Sequence, residues 1–216
     1  MSLGSQGRMR WFVASVLALS AGTGAPSYPQ GREQAATFRS ELAKIEIQKP
    51  SGWHFQNPES AVKNSAGAKA TTAENQEALR RLGISPLIVV TKHPEPYETL
   101  NPAFYVIVRS SSQFPGQPAI EITRSIKAGI SSVYSQFQVV DDVRPYKLSG
   151  YDAGRMTVQY LSATRNGREF ANRSTFVFIP RGSLLYQVSI SAPPDGPDAL
   201  DETMRDQILR LVHFLE

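Results

Sequence analysis

Histidines are the first residues to test for chemistry, because an imidazole can bind a transition metal or act as a base near neutral pH. The chain has three, His54, His93 and His213, in separate parts of the sequence. None has a second histidine at the spacing of a zinc motif. The chain also lacks cysteine, which excludes disulfides, thiolate metal sites and a cysteine nucleophile. We therefore expect no cofactor and no transition metal, unless the three histidines meet in the fold.

Acidic residues are concentrated at two places. Asp141 and Asp142 could bind calcium with a third acid, but adjacent residues of a strand point to opposite faces, so a shared site would need irregular backbone. We favour solvated acids at a strand end. Four more acids surround the start of a predicted final helix, where negative charge is stabilising without a ligand: Asp195, Asp198, Asp201 and Glu202. His213, near the predicted end of that helix, complements its dipole in the same way.

Known catalytic and nucleotide-binding motifs are absent. The sequence has no Gly-x-Ser-x-Gly and no phosphate-binding loop, and Gly150 and Gly154 have the wrong spacing for a dinucleotide fingerprint. Arginines near predicted hairpin ends could form a basic patch, or only a solvated rim that protects the sheet edge: Arg165, Arg168, Arg173 and Arg181. We predict that the protein is not an enzyme.

One loop has the composition of a binding site. Residues 92–102 contain three prolines and the candidate partner-binding residues His93, Glu95, Tyr97 and Glu98. Proline restricts the unbound loop, so less conformational entropy is lost on binding. Tyrosine is frequent at binding hot spots. The alternative interpretation is that Tyr97 folds back onto the domain and the prolines only stiffen a long connection.

The first 24 residues have the pattern of a secretory signal peptide. Arg8 and Arg10 precede the short apolar run of residues 11–19, and small residues follow, with cleavage expected after Ser20 or Gly24. The alternative is a buried or amphipathic N-terminal helix. The whole chain carries a net charge of +4, and removal of the two arginines brings it to +2. We expect a periplasmic or secreted bacterial protein, without a stable membrane anchor and without affinity for nucleic acid.

The first half of the chain predicts a loosely held start and a small number of strands. Residues 25–43 form a flexible leader, with helical tendency over 33–42. Residues 45–55 form a hairpin around a Pro-Ser-Gly turn. Residues 57–83 are an insertion with a short helix that Thr71 or Thr72 caps. Residues 86–91 and 103–109 are strands, and the second, apolar on both faces, belongs inside the sheet.

The second half predicts a helix, four strands and a helix. The first helix has a one-sided apolar stripe: Ile122, Ile126, Ile130, Val133 and Phe137. Period-two patterns then predict strands over 138–148, 151–162 and the two arms of 169–190, joined by tight turns. Asp198 caps the final helix, whose stripe is Leu200, Met204, Ile208, Leu211 and Leu215. We predict a single α+β domain over residues 44–216, an antiparallel β-sheet flanked by helices.

Several short sequences, in this order of elements, resemble the PsbP-like superfamily. They are Pro-Ser-Gly-Trp-His-Phe at 50–55, Val-Val-Asp-Asp at 139–142, Leu-Ser-Gly-Tyr-Asp-Ala at 148–153, Leu-Leu-Tyr-Gln-Val at 184–188 and Val-His-Phe at 212–214. That superfamily includes PsbP of photosystem II, periplasmic DcrB-like proteins and a Ran-binding nuclear import factor. The resemblance implies an αβα sandwich that works by binding a protein or an assembly factor. It implies no metal-binding residue here, and the missing lipobox cysteine puts membrane anchorage in doubt.

The predicted function is that of an exported, non-enzymatic binding or accessory module that acts through a protein partner. The alternative is a periplasmic hydrolase or small-ligand-binding protein whose site is assembled from scattered polar residues. A pocket of convergent polar groups with strongly perturbed pKa values favours the alternative. A wholly apolar buried sheet face, with exposed aromatic residues, favours the protein binder. The sequence specifies neither the partner nor the oligomeric state.

Overall fold

The computed structural model describes residues 37–57, 67–68, 71–73, 86–95, 97–163 and 167–216. The predicted signal peptide, most of the predicted leader and the predicted helix of the insertion lie outside these residues. Neither helix in the described part of the chain has the length and apolar content that crossing a bilayer requires.

The described residues form eleven strands and two helices. In chain order they are β1 (Thr37–Ser40), β2 (Ile45–Gln48), β3 (His54–Gln56), β4 (Gly67–Ala68), β5 (Ile88–Thr91), β6 (Ala103–Ser110), α1 (Ala119–Val133), β7 (Gln138–Leu148), β8 (Tyr151–Ala163), β9 (Glu169–Arg181), β10 (Leu184–Ala192), α2 (Glu202–Leu209) and β11 (Val212–Phe214). The predicted strands that became β5 to β10 are therefore confirmed, together with the predicted helix that carries Ile122, Ile126 and Ile130.

Eight of these strands form one antiparallel sheet. Its path is β3-β5-β6-β10-β9-β8-β4, and β7 pairs with the remaining length of β8. The long hairpins β7–β8, β8–β9 and β9–β10 account for most of the pairing. The turn between β7 and β8 has positive φ at both Ser149 and Gly150, the geometry that matches the twist of a two-residue hairpin. β6 lies between β5 and β10, inside the sheet as predicted.

The remaining three strands form a second small sheet in the order β1-β2-β11, and it overturns two predictions. Thr37–Ser40 is a strand paired with β2, so the predicted helical tendency is wrong for these residues. β2 and β3 do not form the predicted hairpin, because β2 pairs with β1 and β11 while β3 pairs with β5. The Pro-Ser-Gly turn exists, with Trp53 N donating to Pro50 O, but it connects two different sheets.

α1 packs against one face of the large sheet. Ile122 is fully buried against Met156, Val158 and other apolar side chains of β8 and β9. Each such buried side chain contributes about 1.5–3 kcal/mol to stability. The contact is close because Gly154 presents no side chain: a Cβ there would lie 2.0 Å from Thr123 Oγ1. Ile122, Ile126 and Ile130 of the predicted stripe are thus confirmed on the packing face of α1. Phe137 packs there from beyond the end of the helix, and Tyr134 takes the place that the stripe gave to Val133.

α2 and the small sheet cover the opposite face. Their apolar side chains pack on alternate residues of β9 and β10 in a second core cluster, which includes Ile45, Ile208, Val177, Val188 and Ile190. Tyr186 reaches from the large sheet to the small one, where its hydroxyl donates to the Ala43 carbonyl at 2.8 Å. A mainly antiparallel sheet with helices on both faces confirms the predicted α+β class.

The last segment differs from its prediction in three respects. Asp201, not Asp198, caps α2, accepting a hydrogen bond from Met204 N at 2.8 Å. Met204, placed on the apolar stripe by its spacing, is 46% exposed, and its neighbour Arg205 is buried instead. The helix ends at Leu209, and β11 takes the place of its expected last turn because it completes the small sheet beside β2. His213 therefore lies in a strand, and the predicted helix-dipole contact is wrong.

Candidate functional site

The predicted binding loop connects β5 to β6 and is held at its base by buried residues. Thr91 and Leu100 are 4% and 7% exposed. The Thr91 hydroxyl donates to His93 O at 2.7 Å, and Asn101 both accepts from His93 N and donates to His93 O. These bonds fix the backbone on either side of His93, so the loop presents its side chains from a defined position.

Asp198 lies at the centre of the loop's polar contacts. Its Oδ1 accepts hydrogen bonds from Lys92 Nζ at 2.9 Å and His93 Nε2 at 2.8 Å, and its Oδ2 accepts from Tyr97 Oη at 2.6 Å. We call these four residues the Asp198 cluster. Burial acts to raise the pKa of Asp198, but the hydrogen bonds from Tyr97, His93 and Lys92 outweigh it and hold that pKa well below its usual range. The hydrogen bond to Asp198 also raises the pKa of Tyr97.

The two rings of the cluster form a flat aromatic surface. His93 and Tyr97 stack with centroids 4.4 Å apart and planes 11° from parallel. Both rings are half-buried, and the His93 side chain is 31% exposed. Part of the pair therefore stays exposed to solvent, as do the neighbouring residues Pro94 and Glu98.

The two acids of the predicted site have different roles. Glu95 faces inward: its carboxylate accepts from Asn101 Nδ2 at 2.8 Å and from Tyr97 N at 3.1 Å. Glu98 is exposed, and its backbone carbonyl accepts from Arg168 Nη1 at 2.7 Å. The structure thus brings His93, Glu95 and Tyr97 together and leaves Glu98 at the rim.

The cluster has part of the geometry of a hydrolase site. The imidazole is oriented by a carboxylate, as in a catalytic triad. In the described part of the chain, however, no Ser or Thr hydroxyl lies at hydrogen-bond distance from the His93 ring. Tyr97 already donates to Asp198. The contacts of Tyr97 match the alternative in which it folds back onto the domain.

The other candidate residues of the sequence do not join this cluster. His54 lies in β3 and His213 in β11, in different sheets. Within the described ranges, no three His, Cys, Asp or Glu side chains come close enough to hold a metal ion. Asp141 accepts from Arg144 Nε at 2.9 Å and Asp142 from Lys127 Nζ at 2.6 Å, so each acid considered for calcium is already paired with a cation.

The predicted basic patch is divided among separate contacts. Arg165 lies outside the described residues. Arg168 binds the Glu98 carbonyl, while Arg181 lies over the rings of Tyr151 and Phe214. Arg173 extends over the sheet face beneath α2, where it lines a separate recess.

Sequence reasoning missed Lys92 and Asp198 as members of the site. Asp198 was assigned to a helix start, which its position before an apolar stripe favours. Its true partners are about a hundred residues earlier in the chain, and no local pattern links the two segments. The buried arginines Arg155 and Arg205 were missed for the same reason, since their acceptors lie on other elements.

Comparison with known proteins finds similar folds at low sequence identity. No protein-family model matches the chain, and no curated protein matches it. The chain is similar to cyanobacterial PsbP (CyanoP) of Synechocystis sp. PCC 6803, with 13% identity over 88% of this chain and 99% of that protein, at a TM-score of 0.46. It is also similar to LpqN of Mycobacterium tuberculosis, described as involved in cell envelope biogenesis, with 15% identity over 80% and 83% of the two chains and a TM-score of 0.43.

A third similar structure is a protein of Bacteroides thetaiotaomicron, with 10% identity and a TM-score of 0.44. The match covers 85% of this chain but only 50% of the Bacteroides protein, so the chain spans half the length of that relative. Membership of the PsbP-like superfamily stays a prediction.

Proposed function

We propose that this chain is an exported, non-enzymatic binding module that engages a protein partner through the surface of the Asp198 cluster. The observation that carries the proposal is the set of hydrogen bonds that hold described residues of the loop to the domain. Asp198 accepts hydrogen bonds from three loop residues, Lys92, His93 and Tyr97. A loop that is already ordered loses little conformational entropy on binding, so more of the contact energy contributes to affinity.

The exposed groups around the cluster indicate the chemistry of the partner. The ring pair of His93 and Tyr97 offers a flat amphipathic surface, of the kind found at interface hot spots. Glu98 is exposed at its rim. A complementary protein would place a flat apolar or aromatic side chain on the rings and a Lys or Arg near Glu98.

Two features weigh on the choice between a protein and a small ligand. The half-exposed ring pair supports a protein partner. The buried face of the large sheet toward α1 is not wholly apolar, since Tyr160, Asn172 and Ser174 form a hydrogen-bonded network there. The network therefore departs from the wholly apolar face expected of a protein binder, and burial raises the pKa of Tyr160 well above its usual value. It lines no pocket that would meet the condition for a small ligand among the described residues.

The test is site-specific photo-crosslinking of the full chain in its own host. A photo-crosslinking phenylalanine derivative replaces Glu98 in one variant and Asp152, whose side chain is 86% exposed in the β7–β8 hairpin, in the control. We expect a discrete protein adduct from position 98 and none of that mass from position 152. Mass spectrometry of the same material reports the N-terminus, expected at Ala21 or Ala25 after export.

A second variant separates docking from folding. The double substitution of His93→Ala and Tyr97→Ala removes the ring pair, and its melting temperature is measured beside the adduct yield. Because both rings bind Asp198, we expect a small fall in the melting temperature. Loss of the adduct from protein that still unfolds well above the assay temperature supports docking on the rings. Equal adducts from positions 98 and 152, or an adduct that persists without the rings, would assign the loop to structure alone.

A further inference from the structure

The connection from β10 to α2 contains an aspartate followed by a glycine, Asp195-Gly196. In such a pair the main-chain nitrogen of the second residue can attack the side-chain carboxyl of the first. Glycine hinders this attack least, because it has no side chain. The chain has seven aspartates, all within the described residues, and Asp195 is the one that precedes a glycine. Whether the reaction occurs in the folded protein depends on whether the fold holds the carboxyl elsewhere.

The other six aspartates are all held by hydrogen bonds. The pairs are Asp141 with Arg144, Asp142 with Lys127, Asp152 with Lys147, Asp198 with Lys92, His93 and Tyr97, Asp201 with Met204 N, and Asp206 with Arg155. Asp195 is exposed, and its carboxylate forms no hydrogen bond or ion pair with the described part of the chain. It is therefore free to turn toward the Gly196 nitrogen.

Two features of the connection keep the reacting groups free. An aspartate in a bend commonly accepts a hydrogen bond from the N–H two residues later, but here that residue is Pro197, which has no N–H. The space around Gly196 is open, since no atom lies within 4 Å of a Cβ built there. The turn bond from Ala199 N, at 3.2 Å, uses the oxygen of Gly196 and not its nitrogen.

We propose that Asp195-Gly196 is a site of isoaspartate formation in the folded protein. The Gly196 nitrogen bonds to Asp195 Cγ, and its proton leaves with the hydroxyl of the protonated carboxyl as water, which closes a five-membered succinimide. Water then opens the ring. Cleavage of the bond from nitrogen to Cγ restores aspartate, whereas cleavage at the main-chain carbonyl carbon gives isoaspartate. One water is lost and one is regained, so the mass is unchanged and no oxidant is needed.

The product changes the connection that carries Asp198. Isoaspartate runs the chain through its Cβ and Cγ, which adds one carbon–carbon bond of about 1.5 Å to the main chain. Immediately after it, Pro197 O accepts from Lys92 Nζ at 3.3 Å and Asp198 accepts from Lys92, His93 and Tyr97. Lengthening the chain here displaces these acceptors, so the reaction reaches the Asp198 cluster. The inference goes beyond the proposed protein binding and does not depend on it.

The test is incubation of the purified full chain, well below its melting temperature, beside a synthetic peptide of residues 190–200. Tryptic digestion yields residues 182–205 as one peptide, in which electron-based fragmentation distinguishes isoaspartate from aspartate. We expect isoaspartate at position 195 of the folded chain at a rate within about ten-fold of that in the peptide, a small difference in barrier. A slower rate would show that the fold protects the pair, and it would overturn the proposal.

Two other sites of the chain serve as internal controls. Asp152 is exposed, but it is bonded to Lys147 and followed by alanine, so it should stay aspartate. Asn166-Gly167 can also form isoaspartate, but by loss of ammonia, with an increase in mass, on a different tryptic peptide. The reaction of Asp195 should be faster in mildly acidic than in mildly alkaline buffer, because its carboxyl must be protonated to lose water. Equal isomerisation at Asp152, or the opposite pH preference, would contradict the assignment.

Asp195→Glu is the matched variant. It keeps the charge, but its ring would have six members and closes much more slowly, so we expect no isomer at position 195. Gly196→Ala is avoided because Gly196 has a φ of +84°, where alanine is strained. Isomerised wild type, separated by ion exchange, should melt about 1–3 °C below unmodified protein, the shift of a modest loss of stability in a chain of this size. Isomerisation of the glutamate variant would overturn the site, and an unchanged melting temperature would overturn the effect on the cluster.

Discussion

The two faces of the large sheet are held to their helices by different forces. On the α1 face the contact is mainly steric and apolar: the backbone of β8 approaches the helix at Gly154, and Tyr160, Asn172 and Ser174 bond to each other. The one guanidinium on this face in the described part of β6 to β10 is Arg109, opposite Leu185, and it forms no ion pair with α1 among the described residues. On the α2 face an apolar cluster is joined by buried charge. Arg155, fully buried on β8, binds Glu202 at 2.6 Å and also binds Asp206.

This difference separates a rigid attachment from one that responds to its surroundings. Close packing depends weakly on pH and salt, whereas ion pairs depend on both. The Asp198 cluster adjoins the face that uses charge, since Asp198 lies just before the start of α2. We therefore expect ligand and solution effects to act through the α2 face, while the α1 face keeps the sheet intact.

The strongest test of the steric attachment is Gly154→Ala. The added Cβ would lie 2.0 Å from Thr123 Oγ1 and 2.7 Å from Ala119 O, and the second of these is backbone. α1 has to shift to relieve the contact. We expect a loss of about 3 kcal/mol in the free energy of unfolding, with no dependence on salt, measured by chemical denaturation.

The matched control is Gly129→Ala in the same helix. No atom lies within 4 Å of a Cβ built at Gly129. Alanine in a helix is favoured over glycine by about 0.5–1 kcal/mol, so this variant should be slightly more stable than wild type. Similar losses of unfolding free energy in Gly154→Ala and Gly129→Ala would contradict this explanation, because the loss would then not depend on the close approach at Gly154.

The charged attachment is tested by Arg155→Met. The substitution keeps most of the buried volume and removes the bonds to Glu202 and Asp206, which tie α2 to the sheet. Those acids are 53% and 36% exposed and can be hydrated, so the loss is smaller than for a fully buried pair. We expect about 2 kcal/mol by chemical denaturation.

Arg144→Met is its control, because Arg144 binds the same Glu202 at 3.2 Å but is 43% exposed. An exposed ion pair contributes under about 1 kcal/mol, and less at high salt. Equal losses for Arg144→Met and Arg155→Met would mean that burial adds nothing to the attachment of α2. The contrast between the two faces would then fail.

The α1 face was largely predictable from sequence, and the α2 face was not. Period-two patterns located β7 to β10, and the spacing of Ile122, Ile126 and Ile130 located the packing stripe of α1, because these patterns are local. Pairing of β2 with β1 and β11 joins the two ends of the domain. The Pro-Ser-Gly turn led to the prediction that β2 pairs with β3. A turn motif carries no information about strands that lie far away in the sequence.

The candidate site shows the same division. The loop residues His93, Glu95 and Tyr97 were chosen as candidates because three prolines and an aromatic residue lie within one short window. Their common acceptor, Asp198, comes from a segment that reads locally as a helix cap. Met204 lies at the spacing of the apolar stripe, so the pattern predicted that its side chain is buried. The neighbouring Arg205 is buried instead. Burial of an arginine depends on hydrogen-bond acceptors that only the folded chain brings near it.

The smallest loss of stability is expected for Asp198→Asn, and its pH dependence tests whether charge holds the α2 side of the molecule. Asp198→Asn keeps the shape of the cluster and removes the charge that Lys92, His93 and Tyr97 share. The carboxylate is 13% exposed and Lys92 and His93 are each 31% exposed, so solvent screens part of the interaction. We expect a loss of about 1 kcal/mol at pH 7, measured by chemical denaturation.

The pH dependence has a definite sign. The pKa of Asp198 is lower in the folded protein than the value of about 3.9 for an unfolded aspartate, so the unfolded state binds the proton more readily. The charge of Asp198 therefore stabilises the fold above about pH 4, and this contribution is lost as the pH falls further. The difference between wild type and Asp198→Asn should shrink below about pH 4, while Asp195→Asn, exposed on the same connection, should match wild type throughout. A difference that stays constant from pH 7 to pH 3 would show that the cluster is held by shape rather than by the charge of Asp198, and the α2 side of the molecule would then resemble the α1 side.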